Sequence, residues 1–495
     1  MMIKKIIFIL LIVMSFSITF AADKVRIGLD YGEVIESIRL SAQENFSVSL
    51  NGQTLYTLNS NNVIIKKSNN YHLKLEEKFD TLEEALGYVD LYNIKGHEAF
   101  LYCSDKYEVY IGNFTSENEM KNYIKEIEGS TFVYPNDNDL LVESNNSIIF
   151  SYNALENLNF DSRSIIYYNG TPYRGSFRLK RCSTSDLTVI NTIDLEEYLY
   201  GVVPKEMPSN WDLEALKAQA IAARNFAVMH LGDYEALGFD LTDDTNSQVY
   251  AGFSAEKARS NQAVDETSDL LLKHDDLIVA TYYHSNSGGQ TESVENVWQA
   301  EVPYLKGVED VFSENARNST WKKTYTLSQI SLQLNTSGYD VGHIYDVVPV
   351  SVSENNRILE LLFKGTKRNV ILEKGETRKI FGYSDIKSMW FDVKKGNNIS
   401  IVNDQKYFTD SITSQKIITA SGIEEISSYD SYKVYDGKTT KVIKTSISNI
   451  TFEGKGFGHG IGMSQWGAKV MAERGYNYKD ILLHYYSGTY LDRRQ

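Results

Sequence analysis

Three stretches carry residue types that can do chemistry. The first, "VVPKEMPSNW" from Val202 to Trp211, holds a single carboxylate, Glu206, between Pro204 and Pro208. Proline restricts its own backbone and that of the residue before it, so a short rigid elbow is expected there. Such an elbow would aim one side chain at the entry of the alanine-rich helix that follows. One aimed carboxylate suits general-acid work if burial favours its protonated form against the pull of a nearby helix N-terminus. The competing assignment is a structural glutamate that caps the helix or pairs with Lys205 or Arg224.

The second stretch is "TYYHSNSGGQTESVENVW", Thr281 to Trp298. An apolar strand from Leu277 to Tyr283 should deliver His284, followed by Ser285, Asn286, Ser287, Gly288 and Gly289. Small side chains and two glycines would let a ligand approach the backbone closely. The alternative is a hairpin turn with a satisfied histidine. The third stretch is "GKGFGHGIGMSQWGAKVMAERG", with five glycines from Gly454 to Gly462 and His459 among them. A glycine-rich loop before a helix can cradle phosphate, but the P-loop lysine and a dinucleotide-binding context are both missing. An exposed Trp466 and Gln465 beside His459 suit a sugar better. The alternative is a glycine turn with a packed tryptophan.

The elements that must position these residues follow from local patterns. Ser209 with Asp212 fits a capping box, Gly232 is a suitable stop, and Leu216, Ala220, Ala223 and Ala227 share one helical face between them. Ser464, Gln465 and Trp466 open an amphipathic helix that ends at Gly475. Toward the N-terminus, "KVRIGLDYG" and "NFSVSLNGQTLYTL" alternate as strands, with a turn at Asn51 and Gly52. A helix capped by Thr81, two strands in "HEAFLYCSDKYEVYIGNF" and a helix capped by Ser116 come next. After Leu140 strand texture returns and runs through "DLTVINTIDLEEYLYGVV". The region from Asp310 to Ile450 reads as irregular strands, with a hairpin around Glu354 to Asn356 and no catalytic pattern.

Length and charge bound the rest. The chain has 495 residues, enough for two or three domains, and only 6 prolines. A formal net charge of -15 argues against a nucleic-acid partner. Lys4 and Lys5, the apolar run Ile6 to Met14, and small Thr19 and Ala21 form a secretory signal pattern over residues 1–21. An exported, extracellular or cell-wall-associated protein is expected; an uncleaved segment would instead serve as an N-terminal membrane anchor. The two cysteines, Cys103 and Cys182, lie far apart and are expected in different domains without bridging.

Two resemblances attach to these residues. "FDTLEEALGYV" and "YEVYIGNFTSENEMKNYI" resemble a SPOR-type domain over 72–134, a small α+β fold that binds peptidoglycan, particularly glycan stripped of peptides. "LEEYLYGVVPKEMP", "ALKAQAIAARNFAV", "YHSNSGGQTESVENVW", "PYLKGV" and "GFGHGIGMSQWGA" occur in the order of the SpoIID/LytB family. The resemblance implies an α+β multi-domain protein: strands of the SpoIID-like region over 24–71, the SPOR-like insert, a catalytic core over 140–307, a β-rich insert over 308–450, and the C-terminal motif of the core over 451–495. It also implies a lytic transglycosylase that cuts between N-acetylmuramic acid and N-acetylglucosamine, with Glu206 as catalytic acid. Other family members act as modifiers of cell-wall amidases, and some work in sporulation. Substrate-binding candidates are Tyr283, His284, Ser285, Gly288, Gly289, His459, Ser464, Gln465, Trp466 and Arg224. Expected partners are peptidoglycan glycan strands and, in the modifier reading, an amidase. Zinc-binding relatives use cysteine and histidine here; "HSNSGGQT" and "DTNSQVYAGF" contain no cysteine, so neither metal nor cofactor is expected.

Overall fold

The computed structural model describes residues 24–494 except 105, 183–184, 299 and short stretches at 404–405, 412–415, 420–421, 426–430, 436–439 and 445. The signal-pattern residues lie outside the described residues. The chain divides into two units: 24–209, 223–271 and 492–494 form the first, and 210–222 with 272–491 the second. The helix Leu213–Met229 is shared between them.

The first unit holds α and β elements around two sheets. A seven-stranded sheet runs, in spatial order, Leu241–Thr242, Lys24–Asp30, Ser185–Asp194, Ser176–Cys182, Leu158–Asp161, Ser47–Leu50 and Gln53–Thr57. The hairpin between the last two turns at Asn51 and Gly52, both left-handed with φ of 50° and 81°, as the Asn-Gly pair requires. A ten-stranded sheet includes Tyr71–Leu75, Ala99–Cys103, Tyr107–Phe114 and Ser130–Val133. With helices Leu82–Ile94 and Glu117–Tyr123 these four strands make a βαββαβ unit of ferredoxin-like connectivity. Thr81 and Ser116 cap the two helices. The unit is not a separate bead: Ser147–Asn153 pairs in parallel with Ala99–Cys103, so one sheet continues through it. Cys103 is a free, buried thiol on that shared strand.

Strand texture does not extend through "DLEEYLYGVVPKE". The strand ends at Asp194, whose Oδ1 accepts from the amides of Glu196 and Glu197 at 2.9 and 3.3 Å and caps the helix Leu195–Glu206. Leu195, Tyr198, Leu199, Val202 and Val203 are all buried, the 3.6-residue period of one apolar face. The helix packs closely through Gly201, where a Cβ would meet the Tyr250 ring at 2.5 Å.

In the second unit, strands Thr320–Thr326, Ser446–Lys455, Phe391–Asn403 and Lys406–Ser411 form one sheet, and Ile344–Val352, Ile358–Gly365 and Val370–Glu373 another. Helices Leu327–Thr336 and Glu376–Phe381 accompany them around a core of residues such as Ile330, Leu361, Phe363, Phe381 and Phe452. The hairpin expected near Glu354 is present, with Asn356 left-handed at φ 65°.

Candidate functional site

Glu206 is the last residue of the helix Leu195–Glu206, not part of an elbow. Pro204 sits inside the final turn, where it removes one amide donor; the Met207 amide still closes the turn onto Val203 O at 2.9 Å. Glu206 therefore stands at a helix C-terminus rather than at the N-terminus that the sequence suggested. A helix C-terminus disfavours negative charge and so suits an acid that must hold its proton. Glu206 is partly buried. It reaches Tyr198 electrostatically: the Tyr198 hydroxyl is pushed well above its ordinary range by burial first, then by Glu206 and Asp243. The same hydroxyl donates to Gln248 Oε1 at 3.3 Å. Asp243 is itself pushed up to about 6, mainly by burial.

Arg224 serves the fold. It is fully buried, with Nε to Glu196 Oε1 at 2.7 Å, Nη2 to Glu196 Oε2 at 2.6 Å and Nη1 to Leu270 O at 3.2 Å. A guanidinium engaged in this way ties the Glu206 helix to Leu213–Met229 and is withdrawn from substrate binding. The cap of Leu213–Met229 is Asp212, which accepts from Glu214 N at 2.9 Å, rather than Ser209. The helix stops at Met229, just ahead of left-handed Gly232.

The other two motifs meet in the second unit. The strand before His284 is interrupted: Leu277–Ile278 and Tyr283–His284 are separate, and the latter pairs in parallel with Met463–Ser464. Asn286 and Phe457 exchange backbone hydrogen bonds at 3.0 and 2.7 Å. Gly456, Gly458, Gly460 and Gly462 are left-handed, and each abuts a neighbour. A Cβ would lie 2.7 Å from Asn286 O at Gly456, 2.5 Å from His284 Cβ at Gly458 and 2.5 Å from the Arg357 guanidinium at Gly460; at Gly462 it would overlap Tyr282 O. The glycines thus let two chain segments interlock and do not form a phosphate cradle.

His284 is 4% exposed, and its Nδ1 donates to Ile461 O at 3.1 Å. Burial, then His459 and Arg357, holds it far below the ordinary imidazole range, so the ring is neutral and Nε2 is the acceptor. His459 is half-buried and held low by burial and by the Arg378 and Arg357 charges. Its Nδ1 accepts from Ile461 N at 3.0 Å and its other nitrogen donates to the Tyr283 carbonyl. The two rings stand 5.6 Å apart.

Ser464 is buried and caps the helix Gln465–Glu473, accepting from Gly467 N at 3.1 Å and from Ser287 N at 3.3 Å. Its hydroxyl is internal, so it is a positioning residue. Gly288 and Gly289 are also buried; the Gly289 amide donates to Ser313 Oγ at 3.0 Å. Gln465 is 9% exposed, with Nε2 at 3.4 Å from Gln219 Oε1. Trp466 is half-buried rather than exposed and meets Trp211 edge-on at 4.7 Å, with Lys469 Nζ over both rings. Tyr283 and Ser285 are half-buried.

The sequence reading missed the groups behind these. Ser287 Oγ lies 2.7 Å from Asp310 Oδ2 and 2.6 Å from Ser313 Oγ. Glu292, fully buried, accepts from Asn296, Asn355 and Ser353 at 2.9, 2.8 and 2.5 Å, with Arg357 Nε 3.9 Å away. The signal for Glu292 was its place as the first of two acids, with Glu295, that follow the small-residue run after His284. Trp211 and the paired Asp243 and Asp244 were equally visible. Arg357 and Asn355 had none, because they come from a distant hairpin. Among the described residues no three His, Cys, Asp or Glu side chains converge as a metal site.

Residues 183–274, which contain Glu206 and its helix, match the family described as Stage II sporulation protein, SpoIID. The chain belongs to the SpoIID family. A stage II sporulation protein D of Bacillus subtilis is 26% identical over 318 residues, 61% of this chain and 75% of that protein. An uncharacterised protein of Brachyspira hyodysenteriae is 32% identical over 68% of this chain and 76% of its own length. The amidase enhancer of Bacillus subtilis is 34% identical over 59% of this chain, which spans only 40% of that longer protein. Residues 305–410 match a domain of unknown function, DUF8618. Within the SpoIID match the Glu206 helix, Asp243 and the Arg224–Glu196 pair lie together in one unit.

Proposed function

We propose that the protein is an exported peptidoglycan lytic transglycosylase with Glu206 as its acid and base. The observation that carries this reading is the single partly buried carboxylate at the C-terminal end of a capped, tightly packed helix. Protonated Glu206 would donate to the glycosidic oxygen between N-acetylmuramic acid and N-acetylglucosamine as the C1–O bond breaks. The 2-acetamido group of the sugar would meet the positive charge at C1. The C6 hydroxyl then closes onto C1 and returns its proton to Glu206, leaving a 1,6-anhydro end and consuming no water. One carboxylate suffices for both proton transfers, unlike the paired acids of hydrolytic glycosidases. The βαββαβ unit over 72–134 would hold the glycan strand as a SPOR-like module.

The amidase-enhancer relative favours a second reading, a peptidoglycan-binding protein without catalysis that stimulates a cell-wall amidase. One comparison separates the two. Purified sacculi, intact and amidase-stripped, are treated with the parent protein and with Glu206→Gln, and the products are read by mass spectrometry. Anhydro-muramyl ends made by the parent and lost at least a hundredfold in the variant are expected, as for removal of a general acid, which contributes roughly 10²–10⁴-fold. No new ends on either substrate would sink the transglycosylase reading. An amidase assay in which both proteins stimulate equally would then support the second.

A further inference from the structure

Within the second unit, the Ile358 strand and the helix Glu376–Phe381 close a cavity of about 320 Å³ against Trp298 and His459. Its wall is apolar over Ile358, Leu359 and Met389, with Trp298 and Tyr383 39% and 57% exposed. One group in that wall is out of place. Arg378 is more than nine-tenths buried, yet no carboxylate among the described residues pairs with it. Its Nε donates to Ile386 O at 3.0 Å and its guanidinium lies 4.9 Å from the Tyr383 ring. The neighbouring Arg357 differs: Glu292 answers its charge, and its Nη2 donates to Ser287 O and Gln290 O at 3.1 and 2.9 Å.

Burying a cation without a counter-charge is costly, and a ligand anion is one way to offset it. The cavity is cationic beyond Arg378. Lys374 and Lys379 line it; with Glu292 engaged by Arg357, Glu376 is the other acid in the wall. This charge stands out on a chain of formal net charge -15. Lys374 also fixes the aromatic side, with Nζ at 2.6 Å from Trp298 O and 3.2 Å from Glu295 O. Trp298 in turn stands against Tyr282 and His459, with ring centres 4.6 and 5.5 Å apart.

We propose that this cavity is a binding site for an organic carboxylate carried on a body with an apolar face, Arg378 taking the carboxylate and Trp298 and Tyr383 covering the body. The choice of ligands rests on the cell-wall reading above. Two wall components have this chemistry: the lactyl carboxylate of a muramic acid residue and the terminal carboxylate of a stem peptide. The site joins a segment near the SpoIID match to the region that matches the domain of unknown function, and gives that region a role in binding.

The test is calorimetric titration of the full chain with N-acetylmuramic acid, N-acetylglucosamine, an N-acetyl-D-alanyl-D-alanine peptide and inorganic phosphate. At least one of the two carboxylates should saturate, and which one does identifies the source. N-acetylglucosamine, the same sugar without the lactyl group, and phosphate should bind about tenfold more weakly or not at all, the loss of one charge-assisted pair or of the apolar contact. Arg378→Gln should weaken the carboxylate by a similar factor. Should that variant fail to fold, Tyr383→Ala, at an exposed ring, provides the second measurement and should also weaken binding. Glu206→Gln should leave binding unchanged, so a protein that binds the carboxylate but makes no anhydro ends would sink the transglycosylase reading alone. Equal binding of N-acetylglucosamine, equal binding of phosphate, or no saturation by either carboxylate would overturn the proposal.

Discussion

Glu292 and Arg357 show how much one buried charge pair can matter to the fold. Both are almost fully buried, and burial pushes the Arg357 guanidinium down to about 10 while Glu292 pulls it back up. Removing one partner of such a pair leaves the other buried and unanswered. Glu292→Gln is expected to cost about 3–5 kcal/mol, read as a lowered denaturant midpoint at unchanged slope. A loss below about 1 kcal/mol would show that the amides of Asn296 and Asn355 hold a neutral side chain equally well. Asp243 tests the other unit by pH. Its carboxyl is raised by burial to about 6 from an ordinary value near 4. The folded state therefore holds this proton more tightly than the unfolded chain. Its contribution is fully present below pH about 4 and is lost as pH rises through about 6. Asp243→Asn should flatten the fall in melting temperature between pH 4.5 and 7; an unaltered slope would assign that fall to other groups, Asp139 foremost, which burial also raises to about 6.

At the scale of elements, two devices fix the candidate residues. The helix Leu195–Glu206 is held at its start by the Asp194 cap and along its side by the Arg224–Glu196 pair, which sets where Glu206 emerges. The interlocked glycine segment holds His459 against His284. Gly458→Ala puts a Cβ 2.5 Å from the His284 Cβ at φ 125°. Backbone strain alone should cost about 1–3 kcal/mol, with the clash added. The expected result is a lowered melting temperature together with a changed tryptophan environment from Trp298. Gly375→Ala, whose Cβ meets nothing within 4 Å, is the matched control. Equal effects of the two would mean that the interlock is loose.

For the whole molecule, the question is whether residues 72–134 behave as an insert. Their strands belong to the ten-stranded sheet, and Phe150, Ser151 and Tyr152 pair with Leu101, Tyr102 and Cys103. A shared sheet opens as one cooperative unit. Phe100→Ala, at a fully buried position, should cost about 3–5 kcal/mol and should speed amide exchange in Ser147–Asn153 as well as in Ala99–Cys103. Faster exchange confined to 72–134 would instead make that region an independent bead, free to move as a tethered glycan-binding module.

Much of this was written locally in the chain. Caps at Thr81 and Ser116, the Asn51–Gly52 hairpin, the stop at Gly475 and the α+β character depend on neighbours a few residues apart, so the sequence carries them directly. The helix that bears Glu206 was legible too, through Leu195, Tyr198, Leu199, Val202 and Val203, but Pro204 masked it. A proline near the last turn removes one hydrogen bond, which a well-packed apolar face can absorb. What the sequence alone could not decide was which polar groups remain available. Arg224 is taken up by Glu196, and Ser464 by the start of its own helix, 177 residues from its partner Ser287. Among the described residues Arg378, on the helix Glu376–Phe381, has no acid partner. Those outcomes depend on burial and long-range pairing, which residue types and spacing do not encode; only the tertiary structure assigns each charge a partner or leaves it open to a ligand.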